Sequence, residues 1–464
     1  MKRITLTAGA LALACTPAAA LAAGQATLTG RAVLPAQTFA GGPPSGAAIT
    51  PANGITPPFA AQPVQGFSGG LDRGDGSFLL MPDNGYGAKA NSADFNLRVY
   101  TVRPGFRTAS GGAGTVGVED HVDLRDPQRL AGFPIVNEAQ PGRRLTGADF
   151  DVESIQRGND GSLWIGDELG PFVLHFTADG RLADAPFPIP GVESDSNPFT
   201  TPGTGNLPNS KGLEGMAVSP DGRYLYPMLE GALKTDASPK LTLRMYRFDT
   251  VSRAFTGEAF RYRMSAEGNS LGDLQMINDH QMLIIERDNN QGPAAAFKKI
   301  FLLDLRQTDA QGFLVKTEVA DLLDVADPAG ISTAAPAPRA GDFGLGNPFR
   351  MPFQTIETIV PLPDGQLLVA DDNNFPFSAG RNPGLPDDDE IITIKPSVAL
   401  QVDRLVLGRA PVITARETLI DAARDAEGGA PDRALAGARD ALPLVDTAIG
   451  RMGPREGLWR ARRG

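Results

Sequence analysis

Cysteine is almost missing from this chain: Cys15 is the only one in 464 residues. It sits in the opening stretch MKRITLTAGALALACTPAAALAA, where Lys2 and Arg3 precede an apolar run and small residues. That stretch has the form of an export signal, too short for a membrane span, with Ala20-Leu21-Ala22 as a cleavage triplet; residues 1–22 are expected to be removed. Reading Ala12-Leu13-Ala14-Cys15 as a lipid-attachment site is an alternative, though the usual leucine three before the cysteine is missing. The mature chain would then have no thiol, which excludes disulfides and cysteine-held metals. Histidine is nearly as scarce, at positions 121, 175 and 280 only, and this disfavours zinc. An excess of basic residues is missing too. With 43 Lys and Arg against 54 Asp and Glu, the net charge is −11, which argues against nucleic acid or anionic lipid as the main partner. A periplasmic or secreted protein without a membrane span is expected.

Glycine (54) and proline (39) are abundant, which suits many turns between short strands better than a helical protein. The organising stretch is DVESIQRGNDGSLWIGDELG, 151–170. An acid, Glu153, opens a strand; Asp160-Gly161 makes a tight turn; a second strand climbs to Asp167-Glu168. The plan recurs around Asp221-Gly222, with Glu214 before and Glu230 after, and around Asp279-His280, with Asp273 and Glu286. Glu357 and Asp371 flank Asp364-Gly365, and a variant copy around Asp75-Gly76 has Ser68 and Asp83 in the two positions. Five hairpins at this spacing predict an all-β fold, a β-propeller with long insertions. Six blades are expected, the sixth completed by less regular segments at the two ends. The propeller is assigned to residues 67–400. Residues 23–66 hold an alternating segment, Gln25 to Leu34, that could close the ring, followed by a Pro/Gly-rich run. Residues 401–464 form a C-terminal extension in which two short helices are predicted, as a packed tail or a docking element.

In radial packing the open ends of the hairpins converge on one face. Glu153, Asp167, Glu214, Glu230, Asp273, Glu286, Glu357 and Asp371 are therefore expected to share it. So many carboxylates need either protons or a multivalent cation among them, and hard oxygen donors, with Asn84, Asn289, Asn290, Asn373 and Asn374 nearby, favour calcium. Acids that merely end strands as turn caps are the plainer alternative. Gly66-Phe67-Ser68-Gly69-Gly70 matches the serine hydrolase elbow G-x-S-x-G, but a turn and a strand follow it rather than a helix. Lys211 and Arg287 are the best cations for an anionic substrate.

At these copies DFDVESIQRGNDGSLWIGDELGPF, KGLEGMAVSPDG, ERDNNQG and IETIVPLPDGQLLVADDNNFPFS resemble the phytase-like family of exported bacterial proteins, esterase-like activity of phytase. The resemblance covers about Phe67 to Ile394 and implies a propeller that hydrolyses phosphoesters or esters. The Lys and Arg clusters that phytate would need are not evident. The expected activity is calcium-dependent phosphoester hydrolysis of a small anionic or ester substrate. Glu153 and Glu214 would act as bases, Lys211 and Arg287 would hold phosphate, and Asp167, Glu230, Asp273, Glu286, Glu357 and Asp371 would hold the metal. A calcium-dependent lactonase or esterase and a non-catalytic ligand-binding propeller are the alternatives.

Overall fold

The computed structural model describes residues 24–453. Strand β1 (Thr27–Leu34) comes first, then a small ribbon of β2 (Phe39–Ala40) and β3 (Gln62–Pro63). The first blade follows: β4 (Gly69–Asp72), β5 (Phe78–Met81), β6 (Arg98–Gly105) and β7 (Thr115–Asp123). The second contains β8 (Val152–Arg157), β9 (Leu163–Asp167), β10 (Phe172–Phe176) and β11 (Phe187–Pro188). The third runs β12 (Leu213–Val218), β13 (Tyr224–Leu229), β14 (Thr242–Asp249) and β15 (Ala254–Arg263). In the fourth are β16 (Ser270–Met276), β17 (Gln281–Arg287), β18 (Lys298–Thr308) and β19 (Leu314–Asp321). The last set is β20 (Thr355–Pro361), β21 (Leu367–Asp372) and β22 (Asp389–Lys395), completed by β1.

The expected all-β propeller is therefore present, with five blades among the described residues rather than six. The innermost strands β4, β8, β12, β16 and β20 are neighbours in that order, and β20 returns to β4. The segment at the start of the chain does not begin a further blade. It lies antiparallel to β22, with Thr27 opposite Lys395 and Leu34 opposite Asp389, and so serves as the outer strand of the fifth. Val33 pairs with Thr115 in parallel and Arg31 bridges Arg107, so β1 also ties this blade to the first.

Apolar residues of adjacent blades fill the space between sheets. Met81, Val99, Val152, Ile155, Ile165 and Leu174 pack together between the first and second blades, and Leu283, Ile285, Ile356, Ile359, Val369 and Ile392 between the fourth and fifth. Each such side chain contributes about 1.5–3 kcal/mol on burial, so the inner strands are the best-anchored part of the chain. Both faces of β8, β9 and β10 are covered, and every residue in them is buried.

Two helices follow the ring, α1 (Arg404–Glu427) and α2 (Pro431–Met452). They are longer than the two short helices expected from sequence, and Pro411 lies inside α1 instead of before it. Asp403 caps α1 through its side chain, Gly428 and Gly429 break the path, and Pro431 starts α2 at a position where its missing N–H is no loss. The pair caps the face that carries the hairpin turns. Thr414 accepts from Arg157 at 2.9 Å, Glu417 pairs with Arg157, Arg451 reaches Asp72 at 2.5 Å, and Pro411 fills the space beside Gly74. Between α1 and the inner strands remains a cavity of about 80 Å3, to which every blade contributes a residue: Gly70, Gln156, Val218, Gln275 and Val360.

Candidate active site

At the end of the ring away from the helices, three inner strands carry one extra residue. The ladder between β8 and β9 slips between Val152 and Ser154, that between β12 and β13 between Leu213 and Gly215, and that between β20 and β21 between Ile356 and Thr358. The residues set out of register are Glu153, Glu214 and Glu357. A bulge re-aims its side chain, and here it brings three acids from three blades together, with carboxylate oxygens within 4.8 Å of one another. The fourth blade has its slip at Gly272 and Asp273, and the first has Ser68, whose hydroxyl donates to Glu357 at 3.2 Å.

The second strands complete the site. Asp83, Glu168, Arg287 and Asp372 each stand eight residues after the aspartate of their turn, and Glu230 nine after. Asp83 joins Asp151 and Glu153 in a second trio, and Glu168 joins Glu214 and Glu230 in a third. Arg287 lies among them, 2.5 Å from Glu357 and 3.7 Å from Glu214, and Lys211 pairs with Glu230 at the rim. Eight carboxylates thus gather around two cations.

Burial and mutual repulsion decide their protonation. Burial first, then Asp151, Glu214, Asp83 and Glu357, pushes Glu153 well above the carboxylate range. Burial and Glu230 do the same to Glu214, and burial with Glu230 and Asp151 to Glu168. Asp83 is raised by burial and by Asp372; Asp372 is pushed up to about 7 by burial and Glu357. Glu230 goes the other way, because Lys211 and Arg287 outweigh its burial.

Six of the residues singled out from sequence meet here: Glu153, Glu214, Glu230, Glu357, Lys211 and Arg287. Asp167, Glu286, Asp371 and Asp273 do not belong to the cluster. Asp167, Glu286 and Asp371 lie opposite Val152, Leu271 and Ile356, so they point between blades instead of toward the axis. Asp167 accepts from the backbone N–H groups of Asp151 and Gly170, and Asp371 from that of Glu390. Glu286 binds Lys316, Tyr262, Ser265 and Asn269. Asp273 accepts from Leu274 and, across the blade boundary, from Ile359. The neighbour one position on takes the axial place in three hairpins: Glu168, Arg287 and Asp372. These three are what a count of eight from the turn, rather than seven, would have found; Asp151, nine residues before its turn, fits neither count.

Ser68 has no histidine partner. His175 stacks on Trp164 at 3.9 Å and binds Asp184, His121 lies against Tyr100, and His280 sits in a turn beside Asp279. The donor set fits a hard cation: carboxylate oxygens from several blades, no imidazole or thiolate, and an Asp151 oxygen that is buried without any hydrogen-bond partner.

Fold and site together define an acid-centred five-bladed propeller. A family model described as phytase-like, esterase-like activity of phytase, matches residues 62–375, and the chain belongs to that family. An uncharacterized secreted protein of the fungus Arthroderma benhamiae is 35% identical over 192 residues, covering 34% of this chain and 37% of that protein. The match thus spans little more than a third of the relative's length. Among solved structures, a luciferin-regenerating enzyme aligns over 72% of this chain and 92% of its own with 10% identity and a TM-score of 0.31. The β-propeller domain of Myceliophteria thermophila Cps50 aligns over 50% and 56% with 12% identity and a TM-score of 0.24. Likenesses of that size carry nothing about activity. Among the described residues no helix is long and apolar enough to cross a membrane.

Proposed function

We propose that this protein is an exported, calcium-dependent hydrolase of a small phosphoester, working at the acidic end of the ring. The observation that carries the reading is the set of three carboxylate trios, each drawn from at least two blades. Glu153, Glu214 and Glu357, with Asp83, Asp151, Glu168 and Glu230 around them, would hold the cation; Asp167, Asp273, Glu286 and Asp371, engaged elsewhere, would not. Bound calcium would neutralise phosphate oxygens and polarise the phosphorus centre. Glu214 and Glu153 are the residues to accept the proton of an attacking water once their own protons have left. Lys211, half-exposed at the rim, is placed to meet an incoming anion. Arg287 is buried against Glu357 and Glu214, so it offsets the acids and holds them in place more than it contacts substrate.

One feature favours a second reading, a lactone or carboxylic ester as substrate: Lys211 is the one half-exposed cation of the cluster, which provides little for a highly charged phosphate. Phosphate release from a panel of phosphomonoesters and phosphodiesters, with calcium and with a chelator, separates the two when lactones are assayed alongside. Calcium-dependent phosphate release that disappears in Glu214→Gln supports the first reading. Turnover of lactones alone supports the second, and no turnover with a calcium-dependent melting shift leaves a binding propeller.

A further inference from the structure

Thirteen large hydrophobic side chains are exposed among the described residues, and six of them lie in the two C-terminal helices. Helix α2 carries two seams. The first, Gly437, Ala441, Leu444 and Ala448, faces α1: Gly437 approaches Ala422, and Ala441 and Leu444 are buried together with Ala415. The second, Leu435, Ala438, Leu442, Val445 and Ile449, advances by alternate steps of three and four, the spacing at which helices pair as coiled coils. Among the described residues nothing covers it: Leu435 is 52% exposed, Leu442 62%, Val445 39% and Ile449 44%. Helical phase adds to this flank the exposed Val412 and Leu419 of α1, whose remaining faces are taken by the propeller through Ile413 and Thr414 and by α2 through Ala415 and Ala422.

We propose that this face joins two copies of the chain, α2 against α2, antiparallel about a twofold axis. Charge selects that partner. The positions following Ala438 and Val445 on the outer side of the seam are Arg439 and Asp446, both exposed. Arg433 pairs with Asp425 and Arg451 with Asp72, away from the seam, and Arg439 and Asp446 have no ion-pair partner among the described residues. In an antiparallel pair such flanking positions meet across the seam, so Arg439 faces Asp446 of the partner subunit, and the twofold axis repeats the contact. An anionic membrane suits the face less well, because exposed acids, Asp432, Asp440 and Asp446, alternate with its arginines. The helices cap the turn face, so both acidic sites of the dimer lie away from the interface.

Sedimentation velocity on the purified protein over a wide concentration range tests this. The expected result is a dimer whose affinity falls roughly a hundredfold in Leu442→Glu, since a charge is then brought to the middle of the seam from each side. Leu442 is the most exposed of these residues, so the variant should keep the wild-type melting temperature. Arg439→Asp should weaken the dimer about tenfold, and adding Asp446→Arg should restore it with the charges exchanged. A protein monomeric at every concentration, or a dimer indifferent to Leu442→Glu, would overturn the proposal. So would a monomer that co-sediments with phosphatidylglycerol vesicles and loses this in Leu442→Glu.

Discussion

Glu214 and Glu286 carry the same side chain in opposite surroundings. Glu214 lies among carboxylates, with Arg287 3.7 Å away, and holds its proton far above the usual range. Glu286 is fully buried, but the Lys316 pair outweighs that burial and keeps it below the usual range. Replacing each by glutamine should therefore have different effects. Glu214→Gln is expected to lower kcat at least about a hundredfold while denaturant unfolding changes little, because a repelled group is removed. Glu286→Gln should keep the activity and lose about 2–3 kcal/mol in the same unfolding measurement, since Lys316 would be left beside a neutral amide. The acids also set a pH dependence. Glu153, Glu168 and Glu214 are raised well above their ordinary values and Asp372 to about 7, so the folded state binds more protons than the unfolded one. Stability that is complete below the unfolded carboxylate range, about pH 4, is then lost as the pH rises through 7. In a chelator the melting temperature should fall over that interval, and calcium should remove most of the fall by taking the place of the protons. Calorimetry in two buffers of different ionisation enthalpy should register proton release on calcium binding at neutral pH; no release would mean that the cluster does not take the ion.

The hairpin is the element that the sequence displays most openly, because Asp-Gly turns and apolar alternation both belong to it. Gly161, Gly222 and Gly365 have φ of +87°, +76° and +77°, the conformation that selects glycine at those turns. A methyl at Gly365 would meet nothing within 4 Å, so Gly365→Ala should cost only the backbone term, about 1 kcal/mol by thermal or denaturant melting. The acidic ends were harder to read. Glu153, Glu214 and Glu357 are visible because each lies seven residues before its turn in sequence. On the return strand two polar residues stand side by side, Asp167-Glu168, Glu286-Arg287 and Asp371-Asp372, and a strand sends neighbours to opposite faces. Counting from the turn leaves open which of the two faces the axis. The answer depends on how the bulge reorients the end of the blade, and the bulge becomes visible only once the ladder is formed. Arg287 was legible as a cation beside an acid, but its burial between Glu357 and Glu214 comes from the third and fifth blades, which no local pattern reports.

Across the whole molecule, blade number depends on contacts between the two ends of the ring. Sequence periodicity shows the five turns, and the alternating stretch at the start reads as a strand that could close the ring, but nothing in it says that it completes the fifth blade against β22 instead of starting a sixth. Seven residues of β1, from Thr27 to Leu34, pair with that strand, and Leu28, Ala32 and Leu34 are buried. A chain starting after Leu34 should therefore lose its cooperative melting transition or melt far below the full protein; a transition unchanged by the truncation would show that four blades and three strands suffice.

The same closing strand makes folding wait on synthesis. β1 is the first of the described strands to be made and pairs with one made about 360 residues later, so the ring stays open until nearly the whole propeller sequence has emerged. Bringing such distant segments together carries the largest loop-closure entropy of any pairing in the ring. Until then the early blades expose apolar flanks with no neighbour on one side, and a chain stalled before β22 is a target for proteases and aggregation.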